Sequence, residues 1–137
     1  MHRLNKIEPV SLQGDVLVVE DDPTLRMLMS TALEEFGVSS ISFASADEAV
    51  DYLQRTEKKC SLVITDHGLP GLLSGSDFIK YVHELWPHVP TILVSGYSLE
   101  PTAIPPSTLY LEKPWSIDEL EAAIARVLSS PLQNCER

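Results

Sequence analysis

The chain has 137 residues, with 20 acidic and 10 basic side chains and a net charge of −10 at pH 7. That length sets one domain as the expectation and supports a single core without staples. The acidic excess repels nucleic acid, no apolar run is long enough to span a membrane, and the start carries no signal-peptide pattern, so a soluble cytoplasmic protein is expected.

Residues 1–14 lack periodicity, contain Pro9 and end in Gln13-Gly14, which reads as a tail or linker. A first strand is predicted over 15–20, where Val16-Leu17-Val18-Val19 runs into Glu20, Asp21 and Asp22. Asp22 reads as a helix N-cap with Pro23 at the first position, and Gly37 as the stop. Between them Leu25, Leu28, Met29, Ala32 and Phe36 recur at helical spacing. A second strand is predicted from Val38 to Phe43. Ser45-Ala46-Asp47-Glu48 has capping-box spacing and opens a helix to Arg55. The third strand covers 61–66 and ends in Asp66. After a Gly/Pro-rich loop, Ser76 or Asp77 is expected to open a helix carrying Phe78, Ile79, Val82, Leu85 and Trp86, closed by Pro87.

The fourth strand covers 91–95 and ends in Ser95. Residues 96–108 hold Pro101, Pro105 and Pro106, which leaves little room for a full helix. The fifth strand, 109–112, runs into Lys113-Pro114. Ser116-Ile117-Asp118-Glu119 opens the last helix, and Pro131 ends it; 131–137 reads as a C-terminal tail. Strands alternate with helices, so an α/β fold with a parallel sheet is predicted. Its short, continuously apolar strands fit burial on both faces.

Such sheets gather functional groups at the carboxyl ends of their strands. Here that edge would collect Glu20, Asp21, Asp66, Ser95 and Lys113. Carboxylates suit magnesium, a hard cation that prefers oxygen ligands. Asp21 and Asp66 could supply two, the Gly68 carbonyl a third, and Glu20 another directly or through water. Asp66 is the candidate nucleophile, since a carboxylate can attack phosphorus to give an acyl phosphate. Lys113 would pair with one phosphoryl oxygen and Ser95 would donate to another. Each residue alone has a plainer reading as a cap, turn or solvated loop group. Their convergence at separate strand ends is what favours a site. His67 should face away from Asp66, because adjacent strand residues point to opposite sides. His2, His83 and His88 have no zinc spacing, and Trp86 and Trp115 read as packing residues. Cys60 reads as a small, partly buried apolar residue and Cys135 as part of a polar tail, so a disulfide is not expected.

The ordered segments VLVVEDDPTLR, LVITDHGLPGLLSG, TILVSGY and YLEKPW resemble the receiver domain of two-component response regulators. The resemblance covers residues 15–129, and the domain is taken as 15–130. It implies a flavodoxin-like doubly wound five-stranded parallel sheet of order 2-1-3-4-5; that order comes with the resemblance and not from periodicity. It implies that Asp66 is the phosphoacceptor, Asp21 the direct metal ligand and Glu20 its acidic neighbour. Ser95 matches the switch hydroxyl, Lys113 the family lysine, and Tyr110 the aromatic that turns inward upon phosphorylation. A cis bond before Pro114 is implied as well. The implied cofactor is Mg2+ (or Mn2+), and the implied partner a histidine kinase or histidine phosphotransfer protein. The domain would be a phosphoacceptor that promotes its own phosphorylation and dephosphorylation rather than a conventional enzyme.

Three departures from the family pattern stand out. The loop after Asp66 reaches Gly75 nine residues on, one more than usual. Gly68 stands where many receivers carry a polar side chain, so no side chain there orients a hydrolytic water. Only 17 residues separate Ser95 from Lys113, so the fourth helix is expected to be irregular or shortened. That short loop also resembles receivers of hybrid histidine kinases, and a homodimer, if formed, would use another surface. Among rivals, a haloacid dehalogenase-type phosphatase would need two aspartates one residue apart after the first strand. A flavodoxin-like cofactor binder would need a phosphate-cradling loop where three acids stand. A phosphorylation-independent pseudo-receiver would not need the intact acids and lysine.

Overall fold

A computed structural model describes residues 15–56, 60–96 and 107–128. Five strands, β1 (Val16–Val19), β2 (Ser40–Phe43), β3 (Leu62–Asp66), β4 (Thr91–Ser95) and β5 (Thr108–Glu112), form one parallel sheet of order β2-β1-β3-β4-β5. The described helices are α1 (Pro23–Glu35), α2 (Ala46–Arg55), α3 (Gly75–Leu85) and α4 (Ile117–Leu128). The expectation of an irregular or shortened helix between β4 and β5 falls mainly on 97–106, outside the described residues, as do both predicted tails.

Strand alternation divides the core in two. Val16 and Val18 of β1, Leu62 and Ile64 of β3, and Ile92 and Val94 of β4 face Met29, Leu33, Leu120 and Ile124 of α1 and α4. Leu17, Val19 and Val63 face Ala46, Ala49, Leu53, Phe78 and Val82 of α2 and α3. The central strands are therefore buried at every position, which explains the largely apolar runs in the sequence. Trp115 packs on the first cluster and Trp86 on the second, as expected of packing residues. Cys60 is buried.

Helix ends follow local chemistry, with two corrections. Asp22 caps α1 by accepting from the Thr24 and Leu25 amides, and Ser116 and Glu119 form a reciprocal capping box ahead of α4. The second strand starts at Ser40, not Val38. Gly37, at φ 87°, donates to the Glu34 carbonyl and Val38 donates to that of Leu33, so the α1 terminus uses the backbone of Val38 before the sheet can. The third helix is capped by Ser74, not by Ser76 or Asp77. The Ser74 hydroxyl accepts from the Asp77 amide while the Asp77 carboxylate accepts from the Ser74 amide. Those bonds hold the Asp77 carboxyl below its ordinary range.

Candidate functional site

The β1 exit is braced from several directions. The Glu20 carboxylate accepts from the Asp22 amide at 3.1 Å, and the Arg26 guanidinium donates to the Glu20 carbonyl at 2.8 Å. These contacts turn the chain sharply into α1. Glu20 is 2% exposed, and burial is the main reason its carboxyl lies above the usual carboxylate range. The Asp22 amide works the other way, and the charges of Asp66 and Asp21 add to the rise.

Asp66 ends β3 and is 7% exposed. Its register partner is Val94 of β4, and the His67 amide donates to the Val94 carbonyl at 2.8 Å, which extends the ladder one step beyond it. Lys113 leaves β5 in the same direction. Its amide donates to the Ser95 carbonyl at 2.8 Å, and the Lys113–Pro114 bond is cis. The Lys113 ammonium lies 3.1 Å from Asp66 Oδ1 and 3.6 Å from Glu20 Oε1. Burial works against the lysine's charge, but hydrogen bonding and attraction from Asp66, then from Glu20, outweigh it and raise its pKa above 10.5.

Glu20, Asp21 and Asp66 each offer a carboxylate oxygen, and these oxygens lie within 4.8 Å of one another. Three anionic oxygens at that spacing repel unless a cation offsets them. The all-oxygen donor set fits a hard divalent ion such as magnesium, and one ammonium does not balance three carboxylates. The cluster is positioned for the phosphoaspartate and magnesium chemistry typical of receiver domains.

The other predicted residues lie at differing positions relative to this edge. Ser95, buried at the end of β4, stands in register with Glu112 beside Lys113. Gly68 is exposed, and a Cβ built on it would meet nothing within 4 Å. Tyr110 is half-buried in β5 opposite Leu93; Leu109 and Leu111 pack on the first core cluster, so Tyr110 alternates to the other face. His67 turns away from the acids, as expected, with Nδ1 3.0 Å from the buried Ser76 hydroxyl. Sequence reasoning missed two contacts that shape the site's loops. One is the bond from Arg26 to the Glu20 carbonyl. The other is the acceptance by the Asp47 carboxylate of the Leu72 and Leu73 amides. Arg26 is one turn into α1, and only that spacing hinted at its role. Among the described residues no helix is long and apolar enough to cross a membrane.

Comparison with known proteins agrees with this geometry. The pattern of the response regulator receiver domain matches residues 16–125. The hydrogenase transcriptional regulatory protein HoxA of Cupriavidus necator is 38% identical over 114 residues, covering 79% of this chain and 23% of that protein. The DNA-binding transcriptional regulator NtrC of Klebsiella pneumoniae is 30% identical over 121 residues, covering 85% and 25%. The chain thus spans about a quarter of the length of these curated relatives. Among solved structures, the receiver domain of NtrX from Brucella abortus superposes with a TM-score of 0.73 at 26% identity, covering 85% of this chain and 99% of that one. A receiver protein from Sinorhizobium medicae gives 0.79 at 23% identity, with 85% and 95% covered, and so speaks to the fold alone. With the motifs, the sheet order and the acidic edge in agreement, the chain belongs to the response regulator receiver domain family.

Proposed function

We propose that Asp66 accepts a phosphoryl group from a phosphohistidine on a histidine kinase or histidine phosphotransfer protein. The observation that carries this reading is the placement of the Asp66 carboxylate. It sits at the sheet's carboxyl edge, 3.1 Å from the Lys113 ammonium and within 4.8 Å of carboxylate oxygens from Glu20 and Asp21. An Asp66 oxygen attacks phosphorus, the phosphorus–nitrogen bond breaks, and the imidazole leaves with the electron pair and takes up a proton. The product is an acyl phosphate on Asp66.

Asp21, Asp66 and the Gly68 carbonyl would hold Mg2+ or Mn2+, with Glu20 contributing directly or through water. When bound, the ion neutralises charge developing on the transferred group. Lys113 shifts from Asp66 to a phosphoryl oxygen, and the Ser95 hydroxyl donates to another. Tyr110, one position before Leu111 on the opposite face, is the candidate reporter of the new charge at the edge. The output is then a changed protein contact or onward transfer in a phosphorelay. On this reading the exchange would take place in the cytoplasm.

The test is incubation with magnesium and acetyl phosphate, followed by intact mass. A phosphate-sized gain is expected in wild type, abolished by chelator and absent in Asp66→Asn. No gain under conditions that label a standard receiver would overturn the reading and favour a pseudo-receiver.

A further inference from the structure

Asp47 stands outside the acidic pocket. It is the second residue of α2, and Ser45 already caps that helix by accepting from the Glu48 amide at 3.2 Å. The Asp47 carboxylate turns instead to the loop between β3 and α3. Its Oδ2 accepts from the Leu72 amide at 3.3 Å and its Oδ1 from the Leu73 amide at 3.2 Å. The backbone is shaped for this contact. Gly71 has φ +96°, and a Cβ there would come within 2.8 Å of Asp47 Oδ1. Leu69 and Leu73 pack on the core cluster shared by α2 and α3, whereas Leu72 is 91% exposed, so packing of its own side chain does not hold that residue in place.

The same loop begins at Asp66. Its base is closed by the Gly75 amide, which donates to the His67 carbonyl at 2.9 Å. Gly75 is so close to the strand end that a Cβ would overlap the Asp66 carbonyl oxygen. The loop therefore has one anchor beside Asp66 and a second at Asp47. Gly68 lies between them with no side chain and open space around it. Together with the packing of Leu69, the two anchors restrict where the Gly68 carbonyl and the neighbouring amides can point. A carboxylate that takes two amides is a stronger anchor than a neutral pair.

We propose that Asp47 is a positioning residue for phosphoryl transfer: by holding the Leu72 and Leu73 amides, its carboxylate fixes the loop that carries Gly68 past Asp66. The inference rests on Asp66 being the phosphoacceptor. Asp47 touches neither the ion's ligands nor the phosphoryl group and acts through the loop alone.

The experiment measures acetyl phosphate labelling by intact mass across a magnesium titration. It compares wild type, Asp47→Asn, Asp47→Ala and Ser45→Ala. In Asp47→Ala the magnesium half-saturation point rises and the maximal labelling rate falls, together lowering labelling efficiency by about tenfold. Asp47→Asn keeps one acceptor oxygen and falls between. Ser45→Ala weakens the same helix without touching the loop; its unfolding midpoint drops while its labelling matches wild type. Amide exchange at Leu72 and Leu73 accelerates in the Asp47 variants only. The inference is overturned if those amides open while labelling and magnesium half-saturation stay within about twofold of wild type, a change too small for a displaced reacting group. It is overturned equally if Ser45→Ala slows labelling as much as Asp47→Ala, since helix stability would then be the cause. An unlabelled wild type would instead sink the assignment of Asp66, and this inference with it.

Discussion

Gly75 ties the stability of the fold to the placement of the nucleophile, and replacing it with alanine tests both. The position does not need glycine's conformational freedom: Gly75 opens α3, and among the described residues the positive-φ glycines are Gly37 and Gly71. What it needs is space. A Cβ would overlap the Asp66 carbonyl oxygen and lie 2.8 Å from that carbonyl carbon and 2.9 Å from His67 Cα. All three atoms are backbone, so no rotamer change relieves the clash. Overpacking of this kind costs about 1–3 kcal/mol. Pushing α3 away also strains the Gly75–His67 hydrogen bond of 2.9 Å, worth about 1 kcal/mol net. The expected loss is about 3 kcal/mol. With a urea slope of about 1.5 kcal/mol per molar for a domain of this size, the midpoint falls by about 2 M. Gly68→Ala is the matched control, because its Cβ meets nothing within 4 Å; its midpoint should move by no more than about 0.3 M. Urea unfolding followed by circular dichroism reads both. A Gly75→Ala protein within about 0.5 kcal/mol of wild type would refute the reasoning. So would equal losses in the two variants.

Three further outcomes follow from the same geometry. Lys113→Met removes the cation 3.1 Å from Asp66, and initial labelling by acetyl phosphate should fall on the order of a hundredfold; a rate near wild type would remove Lys113 from the chemistry. Glu20 has a folded pKa raised above 4.5, chiefly by burial, so its contribution to stability is present below that value and is lost as pH rises through the folded one. Glu20→Gln should therefore raise the melting temperature of the metal-free protein at pH 7 but not near pH 4, and added magnesium should reverse the advantage; an equal shift at both pH values would contradict the burial argument. Ser74→Ala breaks the capping box of α3 and should cost about 1 kcal/mol in urea unfolding. Asp77 has a lowered pKa, so its share of that box is present above 3.8 and is lost as pH falls through the folded value. The cost of the substitution should shrink in acid, and a pH-independent cost would argue against the pairing.

The parts legible in the sequence were those governed by short-range rules. Val16–Val19 and Leu62–Asp66 read as doubly buried strands because consecutive apolar residues, broken only by Thr65, run up to the charged exit, and the sheet does bury both of their faces. Asp22 and Ser116 read as caps because capping is settled within three residues. The sheet order came from the family resemblance, since neighbouring strands are not encoded in any one segment. Ser74 and Asp77 have capping-box spacing, but Ser76 and Asp77, nearer Phe78, are equally good cap residue types, so the sequence does not single out Ser74. Val38 looked like strand because it is apolar, but the end of α1 takes up its amide. The Asp47 contact joins side chain to backbone across 25 and 26 residues, and a carboxylate in the first turn of a helix gives no sign in sequence of an outside partner.

The most direct test of the central claim is chemical location of the phosphoryl group. Protein labelled by acetyl phosphate in magnesium would be reduced with borohydride, which converts an acyl phosphate to an alcohol, then digested and sequenced by mass spectrometry. The account predicts one modified position, with homoserine in place of Asp66. Homoserine in place of Asp21, or a stable phosphate on Ser95 with Asp66 unmodified, would contradict it.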